Sequence, residues 1–404
     1  MIFVGVDWAE THHEVCLLDP TGAVLGRRRV PDGVAGVAQL HALVADHASE
    51  PEAVVVGIEL DRGLLVSALV AAGYQVVAVN PLQASRYRER HGTSGAKSDR
   101  GDAKVLADLV RTDRQHHRAI AADSEGAEAI RVLARAHQSA SWNRQRQLNS
   151  LRSALRAFYP AALDAFGTDL ASGDALAVLA LAPTPERGGQ LSRARIATAL
   201  RRGGRQRNLA QRAAQIQAAL CAPQLATAPP ISHAYGVMTR ATVAVLASLN
   251  QQITSLEEAL GEGFNKHPDA KTIRSLPGLG MVLGARVLGE FGDDQTRYPT
   301  AKSRKNYAGS APITKASGRS LVVLARYARN RRLADALEQW AFCSLTRSSG
   351  ARRYYDQLRA RNKTHRQALR QLANRWVGIL HTCLDRGILY DEYLAWNHLQ
   401  PTAP

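Results

Sequence analysis

What this chain of 404 residues lacks narrows its class before any motif is read. It holds only four cysteines, Cys16, Cys221, Cys343 and Cys383, and no two of them form a CxxC pair. That excludes a zinc ribbon or a disulfide scaffold and predicts reduced, buried thiols. Aromatic residues make up just 5%. Long apolar runs are missing: none approaches the roughly 18–20 residues that cross a bilayer, so no membrane partner is expected. The opening "MIFVGVDWAE" carries Asp7 where a secretory signal would need an apolar core, which predicts a cytoplasmic protein. With 45% hydrophobic and 22% charged residues the composition is that of a folded globular protein, too long for one ordinary core.

Acids are also scarce, 35 Asp and Glu against 52 Lys and Arg, for a net charge of +17. The imbalance is concentrated. Between Arg297 and Arg375, 19 Lys and Arg face three acids, Asp335, Glu338 and Asp356. A solubilising surface usually mixes both signs, whereas a one-sided block points to a polyanion, because cations gain affinity by releasing counterions from phosphates.

Along the chain, "IFVGVD" (2–7) reads as a buried strand ending on an acid. "HEVCLLD" and "AVLGRRRV" follow, separated by the turn "PTG", to give a three-strand antiparallel meander. A helix fits 33–47, "AVVVGIE" is a buried strand that again ends on an acid, and a short helix fits 63–72. "YQVVAV" is a strand closed by Asn80-Pro81, and a helix from about Asp99 to Arg111 completes an α/β domain over 1–115. The next segment, 116–265, is helical. One long helix runs from Ala127 to Tyr159, where Pro160 stops it, and a second spans 232–260. On the second, Leu246, Leu249, Ile253, Leu256 and Leu260 step 3-4-3-4, the seam of a coiled coil or of an ordinary bundle core. Arg144 and the basic insert "RARIATALRRGGRQR", with Arg201 and Arg202, are candidate nucleic-acid contacts. A third segment, 266–404, is expected to be mainly α. It opens with "IRSLPGLGMVLG", a helix-hairpin-helix-like pattern in which Gly278 and Gly280 either admit a phosphate or make a tight turn.

Three segments supply acids. Asp7 and Glu59 end two strands, and Asp99 and Asp102 open a helix on one face, three positions apart. If the first and fourth strands are neighbours, the helix can bring its pair over the strand ends. Four clustered carboxylates repel unless cations neutralise them, and hard oxygen donors suit Mg²⁺ or Mn²⁺, with two ions clamping a scissile phosphate. Each acid has a simpler role available: Ser98 or Asp99 as an N-cap, Asp102 as a first-turn charge, Asp7 at a turn, and Asp61 as a rival to Glu59. His12 and His13 are expected in the hairpin turn, where imidazole is a poorer partner for Mg²⁺. Trp142 is expected in helix packing.

"VGVDWAETHHEVCLLD", "GIE" and "KSDRGDAKVLADLV" resemble the RuvC-like, RNase H-like domain of the DEDD transposases of the IS110 insertion-sequence family. "LPGLGMVLGARVLGEFGD", "RKNYAGSAP" and "KASGRS" resemble that family's C-terminal transposase domain. The family's four acids carry over to Asp7, Glu59, Asp99 and Asp102, and its serine to Ser317, with Ala316 where many relatives have a preceding serine and Ser310 and Ser320 as nearby alternatives. The resemblance implies a nucleoid-associated recombinase that joins donor and target DNA, guided by a bridge RNA from its own element. It implies divalent-metal assistance, a covalent phosphoserine link, and assembly into dimers and tetramers in which acids and serine come from different subunits. Lys315, Arg319, Arg326 and Arg329 around Ser317 are then candidate nucleic-acid contacts. Two rivals remain: a RuvC-like nuclease that uses water as nucleophile, and a non-catalytic DNA- or RNA-binding protein.

Overall fold

Alternate residues of the first strand point to two different cores, which makes that strand the centre of its sheet. In the computed structural model, which describes residues 1–91, 98–117, 119–120, 123–326 and 329–397, β1 (Ile2–Asp7) is buried up to its last residue. Lys97, at the head of "KSDRGDAKVLADLV", lies outside the described residues. β2 (His12–Leu18) and β3 (Val24–Pro31) follow antiparallel, as the meander predicted. His12 and His13 open β2 rather than occupying the turn. After α1 (Val34–Ala45) comes β4 (Val54–Ile58), which pairs parallel with β1; after α2 (Leu64–Ala71), β5 (Gln75–Ala78) adds parallel to β4. α3 (Pro81–His91), which the sequence reading had not identified, and α4 (Asp99–Thr112) close the set. The strand order β3-β2-β1-β4-β5 forms a mixed sheet consistent with an RNase H-like α/β domain.

Ile2, Val4 and Val6 pack with Leu40, Leu43 and Leu69 beneath α1 and α2. Phe3 faces the other way, toward Leu106 and Val110 of α4. On that second face the sheet carries Gly5 and Gly57, paired in register on β1 and β4. A Cβ on Gly5 would stand 1.9 Å from the Ala103 carbonyl oxygen, and one on Gly57 2.7 Å from the Leu106 oxygen. These two glycines let the backbone of α4 lie directly on the strands.

The chain divides into two compact units, 1–122 and 123–404. The second contains α5 (Glu125–Phe158), α6 (Pro160–Phe166), α7 (Gly173–Leu181), α8 (Pro185–Gly189), α9 (Arg193–Arg202), α10 (Leu209–Leu220) and α11 (Pro229–Lys266). It continues with α12 (Ala270–Ser275), α13 (Met281–Phe291), α14 (Ala301–Tyr307), α15 (Arg331–Ser344), α16 (Ser349–Ala360), α17 (His365–Arg386) and α18 (Glu392–Trp396). Between α14 and α15 lies an antiparallel hairpin of β6 (Ile313–Ser317) and β7 (Ser320–Leu324), an addition to the expected helical architecture.

The long helices α5 and α11 pack together and run through two cores. Leu151 and Leu155 of α5 and Leu246 of α11 join a core with α6–α10, while Ile130, Leu260 and Phe264 join one with α12–α17. Of the α11 seam, Leu246, Ile253 and Leu260 are buried inside the chain, and Leu249 and Leu256 are half-buried. Between the cores, the buried His137 accepts from Arg286 at Nδ1 (3.0 Å), which leaves Nε2–H to donate to Glu257 (3.0 Å). Burial pushes its pKa down, and the ring stays neutral. Among the free cysteines, Cys16 and Cys383 are buried as expected, but Cys221 and Cys343 are exposed.

Glu290 of α13 is 4% exposed and accepts from Arg135 at 2.7 and 2.9 Å and from Asn330 at 2.5 Å. Burial alone would raise its pKa, but these donors hold it below the ordinary carboxylate range. A depressed folded pKa contributes stability above the unfolded value and loses it as pH falls. Wild-type Tm should therefore drop from pH 6 to about pH 4, and Glu290→Gln should have a lower Tm at pH 7 with a flatter acid limb. In the first unit, Gly57→Ala should cost about 2–4 kcal/mol in urea unfolding, since α4 must lift off the sheet to admit the methyl group.

Candidate active site

Parallel pairing of β1 with β4 sets Val6 beside Ile58, so Asp7 and Glu59 emerge from adjacent strand ends. Parallel strands here end together, and the chain must leave the sheet at that edge, where polar side chains reach solvent. α4 crosses the same edge. Its buried stripe of Ala103, Leu106, Ala107 and Val110 clamps it to the sheet and aims its first turn at the strand ends. Ser98 caps it by accepting from the Gly101 N–H at 3.1 Å, so the cap role falls to Ser98 and leaves the Asp99 carboxylate uncommitted to it.

Asp7, Glu59, Asp99 and Asp102 line one cavity of about 490 Å³. Asp102 is buried, Asp7 half-buried, and Glu59 and Asp99 are exposed. Two further charged residues belong to this site and were not foreseen. Glu14 faces Asp7 directly across the β1–β2 hairpin and lines the same cavity. The antiparallel register that sets Val6 against Val15 carries 7 onto 14. Arg88 on α3 lies 2.5 Å from Asp102 Oδ1, and no signal marked it because α3 itself was unrecognised. Arg29 and Arg100 stand 3.7 and 4.0 Å from Glu14. His12 and Trp8 also line the cavity. Asp61 is exposed beside Arg62 and does not line the cavity.

The arrangement concentrates five carboxylates where three arginines balance only part of the charge. Like charges held together in a folded unit favour cation binding. The donor set is all hard oxygen and fits Mg²⁺ or Mn²⁺ in kind. Among the described residues, however, no three His, Cys, Asp or Glu side chains converge closely enough to hold one ion, and Asp102 is engaged by Arg88.

The other singled-out residues lie in the second unit. Ser317 is the last residue of β6, paired with Ser320 across the turn Gly318-Arg319, at the tip of a hairpin whose strands are exposed throughout. Gly318 adopts φ +54, the left-handed conformation the turn requires. Lys315 and Arg319 flank Ser317 on the same exposed hairpin, and Arg326 and Arg329 follow it, half-buried. Ser310 is buried and donates to Asn374 Oδ1 at 3.0 Å. Arg201 and Arg202 are exposed at the end of α9. Arg144 instead donates to Asn250 Oδ1 at 3.2 Å and ties α5 to α11. Gly278, with φ +87, makes a close approach, but to protein: a Cβ there would sit 2.7 Å from the Ser344 backbone nitrogen. Gly280 opens α13 beside open space. Trp142 packs under the Arg332 guanidinium at 5.1 Å.

Ser98→Ala should lower the stability of the first unit by about 1 kcal/mol in urea unfolding. A result near zero would mean that Asp99 takes over the cap.

Comparison with known proteins places the chain in a family. A transposase family model of the IS110 DEDD class matches residues 4–160, which contain all five cavity acids. A second, described as the transposase IS116/IS110/IS902 family, matches residues 270–356, which contain the hairpin. The chain is 43% identical over 406 aligned residues to the mini-circle putative transposase for IS117 of Streptomyces coelicolor, covering 100% of this chain and 98% of that protein. It is 29% identical to the insertion element IS110 uncharacterized 43.6 kDa protein of the same species, over 97% and 96% of the two chains. Identity is 28% to the insertion element IS900 uncharacterized 42 kDa protein of Mycobacterium paratuberculosis, over 96% and 97%. The chain belongs to the IS110 family of insertion-sequence transposases.

Proposed function

We propose that this transposase is a DNA recombinase that cleaves and rejoins donor and target strands through a covalent phosphoserine link. The observation that carries the reading is the cavity in which acids from β1, β4 and α4 meet. In this reading Asp7, Glu59, Asp99 and Asp102 hold Mg²⁺ or Mn²⁺, which when bound neutralises the acids and stabilises charge on a phosphate. Arg88 then acts as a resident counterion for Asp102 that a divalent cation displaces. Segment 1–115 is the RuvC-like catalytic domain, 116–265 the helical arm, and 266–404 the domain that presents the serine.

Ser317 is the nucleophile. Its Oγ forms a bond to phosphorus as a strand P–O bond breaks; the hydroxyl proton passes to a base, and the departing strand oxygen takes up a proton. Exposure at a hairpin tip supports this role, because a nucleophile for a strand within duplex DNA must protrude. Lys315 and Arg319 flank it with positive charge suited to a phosphate. Gly280, Arg201, Arg202, Arg326 and Arg329 are proposed contacts to nucleic acid; Arg144, bonded to Asn250, contributes through its charge, and Gly278 through the turn it allows ahead of α13. A bridge RNA supplies sequence recognition. The protein works as a dimer or tetramer on DNA, with acids and serine from different subunits.

Incubation with element-end DNA followed by denaturing electrophoresis tests the chemistry. Wild type should yield a protein–DNA adduct that requires Mg²⁺, and Ser317→Ala should bind DNA but lose the adduct by at least about 100-fold. Cleaved ends without any adduct would replace this reading with a water-using nuclease. Asp99→Ala/Asp102→Ala should abolish cleavage while retaining DNA binding; undiminished cleavage would remove the acids from the mechanism. Arg88→Ala should tighten Mg²⁺ binding measured by calorimetry, because Asp102 loses its competing cation.

A further inference from the structure

At the base of the β6–β7 hairpin, a pocket of about 130 Å³ opens among α14, α15 and α17. Ser310, Arg329 and Glu338 line it together with Arg366 and Arg370. It lies wholly in the second unit and shares no residue with the acid-lined cavity. Two details hold its wall in place. Gly309 adopts φ +65, and a Cβ there would stand 2.4 Å from the Arg329 Cβ, so only glycine lets Arg329 lie this close. The hydroxyl of Ser310 is fixed by Asn374, on the same helix as Arg366 and Arg370.

Arg366 and Arg370 are placed against the interests of folding. Arg366 is the second residue of α17, and Arg370 lies one turn later on the same face. A helix N-terminus carries partial positive charge and is stabilised by acids, yet the first turn of α17 has none. The two arginines also form a like-charged i, i+4 pair, which is itself unfavourable. Residues 357–384 contain six Lys and Arg and not one Asp or Glu, and the one acid of α17, Asp385, lies about four turns beyond Arg370. Glu338, reaching in from α15, balances one charge at most. Cations kept at a helix start despite the macrodipole are suited to an anion from outside the protein, and the helix end adds its own field to theirs.

We infer that this pocket holds a backbone phosphate of the DNA strand on which Ser317 acts. The pocket has room for a phosphate group. The pocket sits at the base of the hairpin and Ser317 at its tip, one five-residue strand away, or about 15 Å. At 3.4 Å of axis per nucleotide, that is about four to five nucleotides from the attacked phosphate. The identity of the strand rests on the Ser317 reading; the phosphate site does not.

The test compares full-length Arg366→Gln/Arg370→Gln with Arg352→Gln/Arg353→Gln, which removes equal charge from α16. Each is titrated with a duplex DNA of about 30 bp, an RNA hairpin of equal charge and inorganic phosphate across a salt series. The pocket pair should weaken DNA binding about tenfold near 0.1 M salt, make the log–log salt slope shallower by about 1–2, and leave Tm unchanged or raised. The α16 pair should change DNA affinity less than about threefold. Equal losses from both pairs, unchanged DNA affinity, or a loss confined to RNA would each overturn the proposal. The adduct assay on Ser317→Ala reads the nucleophile separately, since it scores a covalent bond and not affinity.

Discussion

The contact on which the acid-lined cavity depends is the approach of α4 to the sheet over Gly5 and Gly57. Any side chain at either position would collide with the backbone of α4. Because the two glycines are paired in register, the helix can lie across β1 and β4 together, close enough for Ala103 and Ala107 to bury against the strands. That seat sets the height of the helix start, and with it the position of Asp99 and Asp102 relative to Asp7 and Glu59. A helix standing a few ångströms further off would still bury leucines, but its acids would no longer share a cavity with the strand ends. The smallest residues in the unit therefore position its most highly charged ones.

Charge is then managed differently in the two units. Around the cavity, acids gather at the sheet edge and arginines from β3, α3 and α4 balance some of them, leaving room for added cations. In the second unit two buried groups are closed off internally: Glu290 is satisfied by Arg135 and Asn330, and His137 is held neutral between Arg286 and Glu257. Many of the remaining arginines are exposed, and Arg329, Arg366 and Arg370 line the pocket at the hairpin base. The Arg135–Glu290 ion pair ties α5 to α13, the hydrogen bonds of His137 tie α5 to α11 and α13, and those of Arg332 tie α15 to α5; surface cations face the solvent where a polyanion would bind.

The five strands and both long helices were legible because their signals are local. Period-two alternation in "IFVGVD", the apolar run "VVVGI" and the 3-4 stepping of leucines each report a face without knowledge of what covers it. α3 was missed because "PLQASRYRERH" has no apolar stripe to reveal a helix. The β6–β7 hairpin was missed because its strands are exposed on both faces, and strand signals come from burial. The leucine seam of α11 marked a buried face correctly, but periodicity alone did not tell that the seam divides between two cores of the same chain.

By itself, the sequence determined the chemistry on offer: hard carboxylates at two strand ends and a helix start, a serine among cations, and a basic excess suited to phosphates. It also determined the elements, since propensity, capping and periodicity act over a few residues. Tertiary structure alone decided which charges meet. Glu14 joined the acids through cross-strand pairing, Arg88 reached Asp102 from fourteen residues upstream, and Arg366 and Arg370 were brought beside Ser310 from more than fifty residues away. Coulomb energies depend on distance through space, and separation along the chain carries no such information until packing sets it.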